Sequence, residues 1–455
     1  AGPDYFFRAH DAPHTIFFLT EFDAAIRDGV WYPGWATDQA LGYGYPTFVL
    51  YPPLAYYVAE AFHLLGAGKI VAIKWTWALV TMGAGLAMYA YARQVMGRQR
   101  GLLAAIVYVY VPYHLADIYV RAALAEYGAF VWMPLALLAF HKLVEKATLP
   151  RIGWAALAYG ALLLTHNVTG MAFTPFLALY VLFRLVREPG SGRQRLVRAL
   201  TALGGALLAL GIAAALLLPG FFERHYINQE QWVRETYDYA EHFVQPAHFL
   251  SSSWGYAPGT PGTEGAMSFQ LGAVPLILAV VATVAAFRRP SAEAPATGRA
   301  SAKENASSGV DGHTPIPAPD SSFRQDGGTL AFSRERALIL FFAGALVLLL
   351  FLMLPVSAPL WELLPLASLV QFPWRLLALA AVALAVLSGF AIRAPDIRRL
   401  NGQVLVLALV AILGSYAYTL PQYTPTPEHA EDPLLSIDFE LNYTDMRGMT
   451  AWAEE

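Results

Sequence analysis

The chain has 455 residues, 57% of them hydrophobic and only 14% charged, with no cysteine and a formal net charge of −3. Soluble domains carry about 25% charged residues, so a string of water-soluble domains is excluded, and the near-neutral balance offers nucleic acid no basic surface. The missing cysteine excludes disulfides, thiol nucleophiles, zinc–thiolate sites and iron–sulfur clusters. What remains is an all-α, polytopic transmembrane protein.

Residues 1–68 come before the first apolar crossing. Ala1-Gly2-Pro3-Asp4 is neither a start methionine nor a signal peptide, so a helix ahead of Ala1, cleaved or outside this numbering, is expected. His10-Asp11-Ala12-Pro13-His14 leads into an amphipathic stretch from Thr15 to Asp28. Ile16, Phe17, Leu19, Phe22 and Ile26 make its apolar face, while Glu21 and Asp23 read as solvated polar-face residues, the pattern of an interfacial helix. Glycines, prolines and aromatics crowd 29–53, as in a structured loop at headgroup level, and a second short apolar helix follows at 54–66.

A helix needs about 20 apolar residues to cross roughly 30 Å of hydrocarbon. About ten segments qualify, near 69–92, 101–119, 126–141, 152–166, 168–184, 198–219, 268–287, 337–355, 373–392 and 403–420. Short cytoplasmic loops retain Lys and Arg. Here 21 of the 30 basic residues fall in alternate loops, and about 24 of the 33 acidic residues fall on the other side. The basic loops are therefore placed in the cytoplasm, with 1–68, 220–267 and 421–455 outside and the membrane taken as the cell inner (plasma) membrane. The chain divides into an outer segment 1–68, helices over 69–288, a Pro/Ser/Ala/Gly-rich cytoplasmic loop 289–335 expected to be disordered, helices over 336–420, and an outer tail 421–455. No internal repeat of the kind many transporters carry is visible.

His10-Asp11, Gly42-Tyr43-Gly44-Tyr45-Pro46, Tyr51-Pro52-Pro53, Arg121 with Glu126, Thr165-His166-Asn167 and Phe372-Pro373-Trp374-Arg375 occur in that order. In this order they resemble the GT-C membrane glycosyltransferases, and within them the bacterial "6-pyruvoyl-tetrahydropterin synthase related" membrane proteins, over about residues 8–393. The pattern's usual first helix is not among these residues and is expected ahead of Ala1, and no soluble C-terminal domain can be placed within them. The resemblance implies transfer of a sugar from a polyprenyl-phosphate carrier to an acceptor on the extracytoplasmic face. Its acidic position falls on Asp11, which would act as general base for an inverting single displacement, since one in-line attack needs no covalent intermediate.

The other residues carry two readings each. Asp11 suits a helix cap as well as a base. His10 and His14 are placed to tune Asp11 or to bind a divalent metal, for which no third ligand can be named. Arg121, Arg224 and Arg375 sit at outer helix ends, where planar guanidinium groups suit a lipid phosphate. Arg121 could equally pair with Asp117 and Glu126, and Arg375 could snorkel to the interface. His166 and Asn167 could bind a sugar or satisfy a turn. In the outer loop 220–267, aromatics such as Tyr237, Trp254 and Tyr256 could stack on a sugar or simply lie at the interface. Two rival functions stand beside the enzyme: a catalytically silent GT-C-like subunit or scaffold of a membrane complex, and a lipid-linked-sugar transporter or flippase. A transporter is expected to hold ionisable groups at mid-membrane, whereas these cluster at outer helix ends.

Overall fold

The computed structural model describes residues 4–228, 237–257, 259–288, 322–364, 367–392, 402–426, 431 and 440–441, with backbone alone over 322–333. The outer segment carries α1 (Ala12–Arg27), α2 (Thr47–Leu50) and α3 (Leu54–Leu64). Next come α4 (Lys69–Met96), α5 (Arg98–Tyr110) and α6 (Pro112–Ala116), which runs into a π-helical turn at Asp117–Arg121. They are followed by α7 (Leu124–Glu145), α8 (Leu149–Thr165), α9 (Asn167–Arg187), α10 (Gly192–Ile212) and α11 (Ala214–Phe222). After the outer loop stand α12 (Ala273–Arg288), α13 (Ser322–Leu352), α14 (Ala358–Glu362), α15 (Leu377–Phe390) and α16 (Gly402–Ser415).

All ten segments expected to cross a bilayer are helical. Seven are long and apolar enough to do so, and eight if α5 and the Pro112–Arg121 stretch count as one span bent by 42°. The difference from ten lies in α8 and α12, apolar but only 17 and 16 residues long. The bend follows from Pro112, which has no N–H to continue the ladder, after an extended Val111 (φ −63°, ψ 136°). α13 begins at Ser322, so its first turns overlap the stretch expected to be disordered; extending a helix costs little once the apolar span below has nucleated it. Residues 289–321 lie outside the described residues.

α15 is the central post. Its span from Pro373 to Phe390 is 94% buried and almost wholly Leu, Ala and Val, whereas α10 is 17% buried and turns Leu196, Leu200, Leu203 and Leu207 outward. An apolar helix that hides little of itself within the chain is at home only against lipid.

The outer segment differs from an amphipathic helix resting on a surface. In α1, every residue from Thr15 to Asp23 is buried. Glu21 and Asp23 are corrected accordingly: they are enclosed, at 1% and 7% exposure. The amide of Asp38 donates to Glu21 Oε2 at 3.1 Å, and Arg27 Nε donates to Asp23 at 2.6 Å. His63 and Lys69 reach Asp23 at 3.5 and 4.0 Å. The tail also takes part. Tyr5 and Thr424 exchange backbone hydrogen bonds, at 3.1 and 2.9 Å. Glu431 accepts the amides of Lys69 and Ile70 at the start of α4, and Glu440 accepts those of Ala40 and Leu41, both left-handed (φ 56° and 57°). The two consecutive amides thus converge on one carboxylate of the same chain.

Glu60 on α3 is buried beside Asp23. Burial pushes its carboxyl up to about 7, and the charge of Asp23 adds to the rise. A carboxyl raised above its unfolded value stabilises the fold fully at low pH, and that contribution is lost as pH rises through about 7. Glu60→Gln should therefore match the parental Tm at about pH 4 and exceed it at about pH 8.5. Equal offsets at both pH values would show that Glu60 is ionised throughout.

Candidate active site

The end of α6 holds a dense cluster of buried charge. The π-helical turn Asp117–Arg121 ends in Ala122, buried and left-handed (φ 52°, ψ 35°). Gln371, just ahead of Phe372-Pro373-Trp374-Arg375, is also left-handed at φ 62°. π-turns are rare and concentrate at functional sites, and strained non-glycine backbone persists only where its surroundings hold it. Two such strains therefore flank one cluster.

Within it, Arg121 Nη1 donates to Asp117 Oδ1 and to the Tyr113 hydroxyl (3.3 Å) and lies 2.8 Å from Glu126 Oε2. The Tyr113 hydroxyl donates to Glu126 Oε1 at 2.6 Å, and Arg375 Nε stands 3.4 Å from Glu126 Oε2. Arg375 Nη1 donates to the Val370 carbonyl (3.0 Å) and to Gln371 Oε1 (2.9 Å). The guanidinium of Arg121 lies 4.9 Å from the Trp374 ring centre, and that of Arg375 lies 4.7 Å from that of Phe372. Side-chain exposure is 0% for Asp117, 1% for Glu126, 6% for Arg121 and 14% for Arg375. Asp117 Oδ2, Arg375 Nε and the Trp374 indole N–H are buried without hydrogen-bond partners, so the cluster retains unspent polarity.

His10-Asp11 is stitched to this turn by backbone. The His10 amide donates to Val120 O at 3.0 Å and the Asp11 amide to Arg121 O at 2.7 Å. The Thr15 hydroxyl bridges the carbonyls of Asp11 (2.8 Å) and Ala122 (3.2 Å). Asp11 holds the N-cap position of α1, yet its side chain makes no capping bond. Its charge reaches Asp117, Arg121 and Arg375, and the phenols of Tyr51 and Tyr56 as well. Burial, reinforced by nearby charge including that of Asp11, raises both phenols, so they stay neutral. His10 Nε2 meets the carbonyl of Tyr256 at 3.1 Å, so this nitrogen carries the proton and donates. Burial lowers its pKa despite the opposing charge of Asp11, which favours the neutral ring.

The other expected residues are placed as follows. His14 packs on Phe18 at 3.8 Å and lies 6.2 Å from Tyr51. His166 caps α9 through Nδ1, which accepts from the Thr169 amide at 3.3 Å. Asn167 donates to Leu50 O at 3.3 Å and accepts from the Val168 amide, joining the α8–α9 hairpin to the outer segment. Both therefore serve the turn, while His166 stays close enough to Glu126 to feel its charge. Arg224 is exposed and stacks over Phe221 at 5.1 Å; no described contact joins it to the cluster. Among the described residues, no three His, Asp or Glu side chains converge to hold a metal ion. Tyr113 belongs to the cluster although it drew no notice in the sequence, where Asp117 stood out as a neighbour of Arg121 and Trp374 as part of the Phe372–Arg375 motif. The i, i+4 spacing of Tyr113, Asp117 and Arg121 was the available signal.

Two crystal structures of the Archaeoglobus fulgidus oligosaccharyltransferase resemble the chain. The apo form does so at a TM-score of 0.49 and 13% identity, covering 91% of this chain and 52% of that one. The form tethered to an acceptor peptide containing the NVT sequon gives 0.42 and 14%, covering 89% and 50%. The chain thus spans about half the length of these structures. No curated protein matches it. The model of the 6-pyruvoyl-tetrahydropterin synthase related domain, a membrane protein family, matches residues 48–424. That match covers most of the sequence, and the chain belongs to this family of membrane proteins.

Proposed function

We propose that the chain is a GT-C-type glycosyltransferase of the cell inner membrane. It moves a sugar from a polyprenyl-phosphate donor to an acceptor on the extracytoplasmic face by single displacement with inversion. The observation that carries this reading is the seat of Asp11: a carboxylate free of capping duty, held by backbone bonds at the buried Arg121 and close enough to the half-buried Arg375 to feel its charge. A general base must keep its lone pairs for the proton it removes, and a leaving phosphate needs cations held ready for its growing charge.

The two arginines divide the work. Arg121 is committed to Asp117 and Glu126, so it positions the cluster and adds field. Arg375 is the more exposed, and its Nε meets Glu126 only at 3.4 Å; it is the group to meet the carrier phosphate. As the acceptor attacks the anomeric carbon, Asp11 takes the acceptor's proton, the carbon–oxygen bond to phosphate breaks, and the phosphate leaves toward Arg375. Arg375→Met keeps the apolar stem and removes the guanidinium. It should weaken polyprenyl-phosphate binding about 10- to 150-fold, the equivalent of roughly 1.5–3 kcal/mol. Parental affinity in that variant would leave Arg375 as a membrane anchor alone.

The silent-subunit reading draws on one observation, the saturation of Arg121 by its own carboxylates. Transfer assayed with the parental chain and lipid-linked sugars decides between them, since a silent subunit yields no product with any donor. Orientation is tested separately. In a chain without native cysteine, an impermeant thiol reagent on intact cells should label a cysteine at position 237 and spare one at position 311. Labelling at 311 would invert the topology and move the site to the wrong face.

A further inference from the structure

A cleft of about 290 Å³ opens in the outer loop, lined by His248, Ser251, Ser253, Trp254, Thr263 and Phe269 among others. We propose that it binds a neutral pyranose ring. None of its lining residues is Asp, Glu, Lys or Arg. A bare phosphate or a cation would find no counter-charge there, whereas a polyhydroxylated ring asks for neutral hydroxyls and a flat apolar surface. Both are present. Trp254 is stacked on Tyr418, with centroids 4.6 Å apart and planes at 25°, so the indole is held firmly and little freedom is lost when a ligand settles on it. Trp254 and Phe269 offer apolar ring surface to the C–H face of a sugar. The hydroxyls of Ser251, Ser253 and Thr263 can bond to its rim. His248 Nδ1 is buried without a partner, a polar atom that a sugar hydroxyl would satisfy.

The cleft is built by the backbone. A Cβ on Gly255 would fall 1.8 Å from the carbonyl oxygen of Gly265, so the two walls approach as only glycine permits. The Ala257 amide donates across to Gly265 O at 2.9 Å. Both flanks touch the charged cluster. Tyr256 O accepts from His10, and Phe269 lies 5.9 Å from Trp374, which covers Arg121. A ring in the cleft would therefore sit beside the Asp11 site, neutral ligand next to charged chemistry. Its use in transfer rests on the glycosyltransferase reading; its ligand class rests on the lining alone.

Saturation-transfer NMR on the full chain in detergent, with methyl gluco-, manno- and galactopyranosides as probes, tests this. Saturation should pass to the ring C–H protons of at least one glycoside. Trp254→Leu should weaken that binding about tenfold, and Thr263→Val, which removes one exposed hydroxyl at constant shape, should weaken it by a smaller factor. The glycosides carry no phosphate, so failure of the carrier-phosphate reading and failure of this one remain distinguishable. Once binding is seen, competition by a polyprenyl-phosphate sugar assigns the ring to the donor, and lack of competition assigns it to the acceptor. No transfer to any glycoside, or binding undiminished in both cleft variants, or displacement by inorganic phosphate, overturns the proposal.

Discussion

Asp11→Asn should leave a folded protein that binds polyprenyl phosphate like the parent and should slow sugar transfer about 10²- to 10⁴-fold, the contribution a general base ordinarily makes. Folding is spared because the contacts that seat this residue are its amide to Arg121 O and its carbonyl to Thr15, which Asn retains. A carboxylate valued only as a helix cap gives the opposite pattern, with near-parental turnover in Asn and a loss of stability in Ala. Rates from single-turnover transfer, read beside thermal unfolding of the same preparations, separate the two. Turnover within about threefold of the parent would remove Asp11 from the mechanism.

Arg121→Met strikes at the fold. It strips Asp117 and Glu126 of the cation between them, in a place where neither is more than 1% exposed. Breaking a buried ion pair from one side costs about 3–5 kcal/mol, because the remaining charge is left uncompensated. Thermal unfolding in detergent should show a large fall in Tm. Adding Asp117→Asn and Glu126→Gln to that variant should recover much of it, since neutral amides no longer need the guanidinium. A fall that persists in the triple variant would mean that Arg121 acts by packing against Trp374 and not by charge.

The ten apolar segments were legible because bilayer thickness imposes a run length that few other structures share. Their ends were less so. The bend at Val111–Pro112 was announced by its proline, while the π-turn at Asp117–Arg121 has no local composition of its own. The order of short motifs led to His10-Asp11, Arg121, Glu126 and Arg375, and the structure gathers these around the turn at Asp117–Arg121. Arg224 failed to join them because its outer position said nothing of distance within the surface. Glu21 and Asp23 looked solvated since a helical wheel shows only which residues share a face. Asp38 comes back over α1 to donate to Glu21, and His63 and Lys69 close on Asp23; tertiary cover of that kind leaves no periodicity to read. The reach of Glu431 and Glu440 to amides far earlier in the chain was invisible for the same reason.

The most direct test is a structure of the full chain with polyprenyl phosphate bound. The account places the phosphate against the guanidinium of Arg375, with Asp11 on the side from which an acceptor would approach and the isoprenoid chain running out between apolar helices. A phosphate seated instead at the far end of the bundle, for example against Arg184 beside Glu188, would contradict it.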